Sequence, residues 1–204
     1  MQIEVLQDNY NFANTYLFSN GTNAIIIDPA CDIKYLKKHV KDKKILGVFL
    51  THGHFDHFKN LDDTLKEFNV KCYLHKNAYE KVMNIETSYA KMFGCFKTPD
   101  VTKEDFIFVN DGQSITLENI KVKTIFTPGH TNCSVVYIID ELMFSGDTLF
   151  NMSVGRTDLA TGNSAVQMNT LNMLKKMKID YKIYPGHENS TTLFYEQKYN
   201  PYMK

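Results

Sequence analysis

Thr51-His52-Gly53-His54-Phe55-Asp56-His57 is the stretch of sequence that decides the fold of this chain. It directly follows Ile45 to Leu50, an apolar run that the pattern predicts as a buried strand. Imidazole and carboxylate side chains at this density are the ligands that borderline divalent metal ions prefer. The sequence therefore predicts that a metal site begins where this strand ends.

Four further places in the chain carry the same chemistry, and each lies at a predicted strand-to-loop junction. They are Asp28, Gly129-His130, Ser145-Gly146-Asp147 and Pro185-Gly186-His187. With the first stretch they hold five of the seven histidines, and we expect structural roles for the other two, His39 and His75. Two adjacent ions need about seven ligands with one shared, and Asp147 is the natural shared carboxylate. Ions about 3.5 to 4 Å apart hold a water that loses a proton near neutral pH, so the set predicts a hydrolytic site.

The remaining pattern indicates an α+β fold with two sheets, helices outside them and a single domain over residues 1–204. The predicted strands are residues 14–18, 24–28, 45–50, 70–74, 106–109, 114–117, 121–126, 134–139, 142–145 and 181–184. The predicted helices are residues 34–41, a segment through Leu61, Leu65 and Phe68, and residues 166–178. Residues 77–103 interrupt the alternation with Met and aromatic residues, which predict either a helical lid over the site or an ordinary core-packing insert.

Composition argues against several classes of partner. The formal net charge is zero and the charges are spread along the chain, so no footprint for nucleic acid or an anionic membrane is expected. The first residues do not resemble a signal peptide, and no apolar run approaches the roughly 20 residues of a membrane span, which predicts a cytoplasmic protein. The four cysteines have no CxxC spacing, and we expect them to be reduced and packed as small apolar residues.

The ligand stretches resemble those of the metallo-β-lactamase superfamily. Residues 51–57 are similar to its HxHxDH signature, and residues 128–131, 145–148 and 185–187 are similar to its later ligand motifs. The resemblance implies a four-layer αβ/βα sandwich. It also implies that one metal ion is held by His52, His54 and His130, that the other is held by Asp56, His57 and His187, and that Asp147 bridges them. Asp28 looks like the family's carboxylate that orients a ligand histidine.

Within this superfamily, residues 146–150 and 155–159 resemble the hydroxyacylglutathione hydrolase branch, also called glyoxalase II. Residues 191–202 are similar to the ending of short, single-domain bacterial members, which lack the helical domain that grips glutathione in long enzymes. Two positions depart from the usual pattern: Cys133 and Glu188 both stand where glycine is common. Arg156 is the only arginine in the chain, and we expect it to brace the active-site loop through an ion pair with Asp158, a direct substrate role being the alternative.

The expected activity is hydrolysis of an acyl thioester such as S-lactoylglutathione by a metal-bridging hydroxide, with oxyanion stabilisation by one ion. A thiolate is a good leaving group, so no strong general acid is required, and Asp56 or a metal-bound water could manage the proton. Asp56 and Asp147 are therefore the candidate catalytic residues. Zinc is the expected metal, with iron or manganese as alternatives, because all three accept mixed imidazole and carboxylate sites.

Two other functions use the same residues. Persulfide dioxygenases resemble this branch and carry a similar GRTD run, and they bind one iron through two histidines and an aspartate. His52 or His54, with His130 and Asp147, could form such a triad. A non-catalytic, metal-stabilised module is the third interpretation, and the complete ligand set argues against it because buried charges are costly without a metal.

Overall fold

The computed structural model of the chain describes residues 1–7 and 12–204, which form two mixed six-stranded sheets. The first sheet contains β1 (Gln2–Leu6), β2 (Thr15–Asn20), β3 (Asn23–Ile27), β4 (Lys44–Phe49), β5 (Cys72–His75) and β6 (Phe106–Val109), in that order. The second sheet runs in chain order from one edge to the other through β7 (Ser114–Leu117), β8 (Ile120–Phe126), β9 (Val135–Ile139), β10 (Leu142–Gly146), β11 (Lys182–Pro185) and β12 (Thr191–Thr192). Strands β3 to β6 are parallel to one another, as are β10 and β11, and the other pairs are antiparallel.

The part of the chain that the structure describes also contains six α-helices and three short 3₁₀ turns, which connect the strands or follow the last of them. The helices are α1 (Ile33–Val40), α2 (Phe55–Phe58), α3 (Leu61–Phe68), α4 (Lys76–Val82), α5 (Ser164–Lys175) and α6 (Leu193–Tyr199), and the 3₁₀ turns are Ala90–Phe93, Lys103–Asp105 and Pro201–Met203. Over residues 1–7 and 12–204, none of the helices has the length and apolar character that crossing a bilayer requires.

The alternation of side chains along each strand divides the core into three layers. On β9, Tyr137 packs between the two sheets, whereas Val136 and Ile138 face the other side of the second sheet, against α5 and α6. On the first sheet, Phe18 faces the second sheet, whereas Leu17 faces the layer that contains α1, α3 and α4. The molecule is thus a layered αβ/βα sandwich, as the resemblance implied.

The strands predicted at residues 14–18 and 24–28 form a hairpin, since β2 and β3 pair antiparallel around Gly21, whose φ of 67° suits a tight turn. The turn at Gly112 has a different role. The strands on either side of it, β6 and β7, lie in different sheets, so the chain crosses from one sheet to the other there. Two apolar strands joined by a glycine turn cannot be distinguished from a hairpin by their pattern alone, because the periodicity of a strand does not identify the strand it pairs with.

The ends of five strands bring the site residues to one edge of the sandwich. Strand β3 is followed at once by Asp28, β10 by Asp147, and β11 by Gly186-His187. Strand β4 leads through Leu50 and Thr51 into the first histidine stretch, and β8 leads through residues 127–129 to His130. Ligand sites in open α/β sheets commonly lie at such strand ends.

Tyr137 joins the two sheets directly beneath this edge. Its buried hydroxyl lies 3.1 Å from the Leu50 carbonyl and 3.0 Å from the Tyr73 carbonyl, and its one hydrogen can be donated to either. Leu50 immediately precedes the first histidine stretch, and the next carbonyl, that of Thr51, accepts a hydrogen bond from Val135 N at 2.9 Å. The position of that stretch relative to the second sheet therefore depends on these contacts.

We expect Tyr137→Phe to lower the free energy of unfolding by about 1 to 2 kcal/mol, because a hydrogen bond is lost in a dry core without removal of the ring. Urea denaturation measures the change. Tyr35→Phe is the matched control, since that ring is 36% exposed, and we expect it to change stability by less than about 0.5 kcal/mol. Equal losses in both variants would contradict the proposed role of the hydroxyl.

Candidate metal centre

All seven residues predicted as metal ligands lie together in the structure. They form three overlapping groups in which the ligand atoms lie within 4.8 Å of one another. The groups are His52, His54 and His130; His52, His57 and Asp147; and Asp56, His57 and His187. The first and the third groups are the two ligand sets that the resemblance implied, and the second connects them.

Asp147 lies between the two outer groups. Its Oδ1 is 3.2 Å from Nε2 of His57, and its Oδ2 is 3.5 Å from Nε2 of His130 and 3.7 Å from Nε2 of His187. The atoms within the third group are equally close to one another, since Oδ2 of Asp56 lies 3.2 Å from Nε2 of His187. One carboxylate thus reaches both halves of the cluster.

Several buried ligand atoms have no hydrogen-bond partner among the described residues. They are the Nε2 atoms of His52, His54 and His57 and the Oδ1 atom of Asp147; the 3.2 Å approach between the last two atoms does not have the geometry of a hydrogen bond. An unsatisfied buried polar atom costs about 1 to 3 kcal/mol, so such atoms in one cluster require an explanation. Imidazole nitrogens and a carboxylate oxygen that converge in this way fit borderline divalent metal ions as ligands.

Electrostatics divide the histidines into two kinds. Burial, reinforced by the neighbouring histidines, holds the pKa of His52 well below its usual value, and burial lowers that of His54 to about 3. These rings are therefore neutral, which is the form that binds metal. Burial also lowers the pKa of His57, but Asp147, Asp28 and Asp56 outweigh it and bring the pKa well above its usual value. The carboxylates around His57 thus create a strong local demand for positive charge.

Asp28 fixes the ring of His57. Its Oδ2 lies 2.8 Å from Nδ1 of His57 and also accepts a hydrogen bond from the Thr51 hydroxyl at 2.7 Å, while its Oδ1 accepts one from the Thr51 backbone N–H at 2.8 Å. With Nδ1 committed to Asp28, Nε2 of His57 points toward Asp147 and the other ligands. Asp28 itself has a φ of 51°, a left-handed conformation that aspartate tolerates better than most residues.

Arg156 acts on the cluster through its backbone. Its carbonyl lies 2.7 Å from Nδ1 of His130 and orients that ring, leaving Nε2 to face the cluster. Its guanidinium forms two 2.7 Å hydrogen bonds with Asp158, as the sequence predicted, but the two side chains are 61% and 66% exposed. Because an exposed ion pair contributes little to stability, the pair orders the loop locally and does not anchor it to the core.

Glycine at position 186 allows the chain to pass close to the ligands. A Cβ atom at Gly186 would lie 2.2 Å from Oδ1 of Asp147 and 2.6 Å from Cε1 of His57. The same strand end is held by Asn14, whose side-chain amide donates to the carbonyls of Pro185 and Glu188 at 3.0 and 3.1 Å. Asn14 is one of the residues that sequence analysis missed, because a single polar residue before an apolar strand carries no recognisable signal.

The two departures from the family pattern have different local environments. Glu188 adopts a φ of 66°, the conformation that favours glycine, which explains why glycine is common there. Cys133 is fully buried beneath the site, and burial raises the pKa of its thiol. A thiol that stays protonated is a poor nucleophile, so this environment is that of a packing residue.

A cavity of about 450 Å³ opens on the cluster. Its lining includes five of the predicted ligands, namely His54, Asp56, His130, Asp147 and His187. The rest of the lining consists of Tyr89, Met92, Phe93, Phe150, Val154, Arg156 and Leu159. Three of these residues belong to the segment 77–103 that the sequence predicted as a lid or a core insert. In the structure Tyr89, Met92 and Phe93 form part of the cavity wall.

The comparisons with known proteins agree with this geometry. The profile of the family described as Metallo-beta-lactamase superfamily matches residues 9–187. The chain is 29% identical over 198 residues to the probable metallo-hydrolase YqgX of Bacillus subtilis (strain 168), covering 94% of this chain and 92% of that protein. It is 30% identical over 190 residues to a hydroxyacylglutathione hydrolase of Pseudoalteromonas translucida (strain TAC 125), covering 91% of this chain and 63% of that protein.

Solved structures show the same fold. The BLEG-1 B3 metallo-beta-lactamase superposes with a TM-score of 0.91 at 26% identity, with 99% of both chains covered. TTHA1623, crystallised in a di-iron-bound form, superposes with a TM-score of 0.85 at 24% identity, covering 99% of this chain and 100% of that one. The predicted α+β sandwich is therefore confirmed by both the strand order and these neighbours.

We expect Gly186→Ala to lower the free energy of unfolding by about 2 kcal/mol or more, because the added methyl group collides with Asp147 and His57. Gly94→Ala provides the control: Gly94 has a φ of 74° and open space around it, so its substitution reports backbone strain alone, about 1 kcal/mol. Chemical denaturation of both variants measures the difference. A smaller loss for Gly186→Ala than for Gly94→Ala would show that the ligands readily move aside.

Proposed function

The chain belongs to the metallo-beta-lactamase superfamily, and we propose that within it the protein is a two-metal hydrolase that cleaves acyl thioesters. In this proposal His52, His54 and His130 hold one ion, Asp56, His57 and His187 hold the other, and Asp147 is shared. Zinc is the proposed metal. The observation that carries the proposal is the pair of separate three-residue groups on either side of a single carboxylate.

Two ions account for the cluster better than one does. A mononuclear iron site made from two histidines and Asp147 would leave Asp56, His57 and His187 as a second complete group without a role. Ionised carboxylates in a buried cluster are costly unless a positive charge compensates them. Burial acts to raise the pKa of Asp147, yet His57, His130 and His187 lower it well below its usual value, so the carboxylate is ionised.

Divalent ions at such a site would supply Lewis acidity, which lowers the pKa of a bound water and polarises a carbonyl group. The residues of the chain supply position and proton transfer. Burial acts to raise the pKa of Asp56, but His57 and His187 outweigh it, and the net pKa is lower than usual. Asp56 also lines the cavity, so its ionised carboxylate can take up the proton that water loses.

The proposed reaction adds water across the thioester. Oxygen from water forms a bond to the carbonyl carbon, the carbon–sulfur bond breaks, and the products are a carboxylate, a thiol and one proton. Because a thiolate leaves readily, a general acid at the sulfur is not required. The similarity to a hydroxyacylglutathione hydrolase over 91% of this chain supports a thioester as the substrate.

The decisive experiment measures thiol release from S-lactoylglutathione by the protein loaded with zinc, iron or manganese. We expect metal-dependent release of thiol, and we expect Asp147→Asn to reduce its rate by more than about 100-fold. Loss of a residue that only orients a metal ligand costs up to about 100-fold, and Asp147 is itself the proposed shared ligand. Asp140→Asn is the matched control, because Asp140 is exposed and lies in a turn between β9 and β10.

Other results would redirect the assignment. Hydrolysis of a β-lactam with no thiol release would place the activity with the B3 enzyme to which the fold is similar. Oxygen consumption with a glutathione persulfide by protein containing one iron would establish the dioxygenase. Tight metal binding without turnover of any of these compounds would favour a non-catalytic module.

A second prediction concerns Asp28. We expect Asp28→Asn to weaken zinc binding by about 10- to 100-fold, because an amide offers one oxygen where three donors now converge on a carboxylate, and the ring of His57 loses its orientation. Asparagine tolerates the positive φ at this position, so the change leaves the backbone unstrained and acts through the hydrogen bonds and the negative charge of Asp28 beside His57. Competition with a chelating dye measures the affinity.

Asp140→Asn is again the control, since Asp140 has a φ of 52° but lies exposed and away from the cluster. Its zinc affinity should equal that of the unmodified protein. An equal affinity in Asp28→Asn as well would mean that Asp28 does not orient the ligand.

A further inference from the structure

The cavity beside the candidate metal centre has an apolar wall in addition to the predicted ligands. It is formed by Met92, Phe93, Phe150, Val154 and Leu159. Met92 is 76% exposed and Phe93 is 45% exposed, both within the 3₁₀ turn Ala90–Phe93 at the cavity. Exposed apolar surface that is continuous with a polar site commonly marks where a ligand binds.

Contacts with the body of the protein hold this wall in place. The ring of Phe93 lies 5.4 Å from that of Phe12 and 5.8 Å from that of Phe55. The Phe55 N–H donates to the Ser88 carbonyl at 2.9 Å, and the Tyr89 hydroxyl accepts from the Ala160 N–H at 2.5 Å. The apolar surface is therefore a preformed feature, and its exposure does not arise from a loosely attached loop.

The positive charges near the cavity are already paired or lie elsewhere. Arg156 is the one lysine or arginine among the described residues that line the cavity, and Asp158 occupies its guanidinium through two hydrogen bonds. Lys91, on the turn itself, pairs with Glu86. Lys59 and Lys97 line a separate hollow that also contains Asp62 and Asp63, and the ammonium group of Lys59 lies over the Phe12 ring, 4.0 Å from its centroid.

Residues 8–11, which the structure does not describe, contain no lysine or arginine. Glutathione carries two carboxylates, and each would need a cation or several N–H donors once its water is removed. To bind a carboxylate of this kind, Arg156 would first have to release Asp158. The charges of the described residues therefore do not favour a glutathione group in this cavity.

We propose that the wall binds an uncharged, apolar part of the substrate, so that the preferred thioesters carry an aliphatic or aromatic group on the acyl side or on the thiol side. This inference rests on the proposed thioester hydrolysis and specifies its substrate class. Met92 and Phe93 are the specificity-determining residues, because a substrate that covers them removes apolar surface from water. Burial of about 60 Å² of apolar surface on binding raises the affinity about tenfold.

The test compares three thioesters with the metal-loaded protein: S-lactoylglutathione, S-hexanoylglutathione and the S-acetyl thioester of benzyl mercaptan. We expect kcat/KM to be at least about tenfold higher for one of the last two than for S-lactoylglutathione. Preference for S-hexanoylglutathione places the apolar group on the acyl side, and preference for the benzyl compound places it on the thiol side. A preference for S-lactoylglutathione over both would overturn the inference while leaving thioester hydrolysis intact.

Met92→Lys tests the wall itself. We expect the ratio of kcat/KM for the preferred apolar thioester to kcat/KM for S-lactoylglutathione to fall about fivefold or more, because apolar contact surface is lost and the new ammonium group can pair with a carboxylate of glutathione. Phe96→Lys is the matched control, since Phe96 is 73% exposed in the same segment but does not line the cavity. An unchanged preference in Met92→Lys, or an equal change in Phe96→Lys, would overturn the assignment of Met92.

A binding measurement separates this inference from the proposed reaction. If none of the three thioesters is hydrolysed, calorimetry with 2-(hexylthio)ethanol and S-methylglutathione still reports on the wall, because neither thioether can be cleaved at a carbonyl. If 2-(hexylthio)ethanol binds more tightly than S-methylglutathione, and Met92→Lys weakens that binding, the apolar wall is supported and the thioesterase activity is rejected. No binding of the neutral thioether, or tighter binding of S-methylglutathione, would overturn the apolar wall.

Discussion

Asp28 connects the first sheet to the candidate metal centre, and the rest of the site depends on it. The residue leaves β3 in a left-handed conformation, and its carboxylate accepts hydrogen bonds from the Thr51 backbone and hydroxyl and contacts Nδ1 of His57. Thr51 lies at the start of the histidine stretch, so one buried carboxylate positions both the loop and a ring within it. A buried charge of this kind is tolerated only when hydrogen bonds compensate it, and here they come from the site itself.

The close packing of the cluster depends on how near the backbone at the strand ends comes to the predicted ligands. Strands β10 and β11 are parallel neighbours, and their ends place Asp147 beside Gly186 and His187. Glycine at this point leaves room for Asp147 and His57 to approach one another, and the Asn14 amide and the Arg156 carbonyl orient neighbouring groups. The surrounding contacts thus hold in place the predicted ligand atoms that have no hydrogen-bond partner among the described residues, and preorganised metal binding requires such support.

In the function that we propose, chemistry and specificity lie on different parts of the molecule. The predicted ligands lie at strand ends, where packing of the two sheets restrains them. The apolar wall comes mainly from connecting segments, especially the 3₁₀ turn Ala90–Phe93 and the loop that contains Val154 and Leu159. Segments of this kind vary without disturbing the sheets, so one metal centre can serve different substrates. For this reason membership of the superfamily supports hydrolysis more strongly than it supports any one thioester.

The sequence by itself determined the fold class and the list of candidate ligands, because strand periodicity and dense histidine motifs are local properties of the chain. It also identified Asp28 and the pairing of Arg156 with Asp158. Tertiary structure alone decided that β6 and β7 belong to different sheets, that Arg156 contacts His130 through its carbonyl, and that Asn14 holds the strand end at Gly186. It alone placed Met92 and Phe93 against the cavity. These features are contacts between residues far apart in sequence, and the pattern of one segment contains no information about which distant surface it will meet.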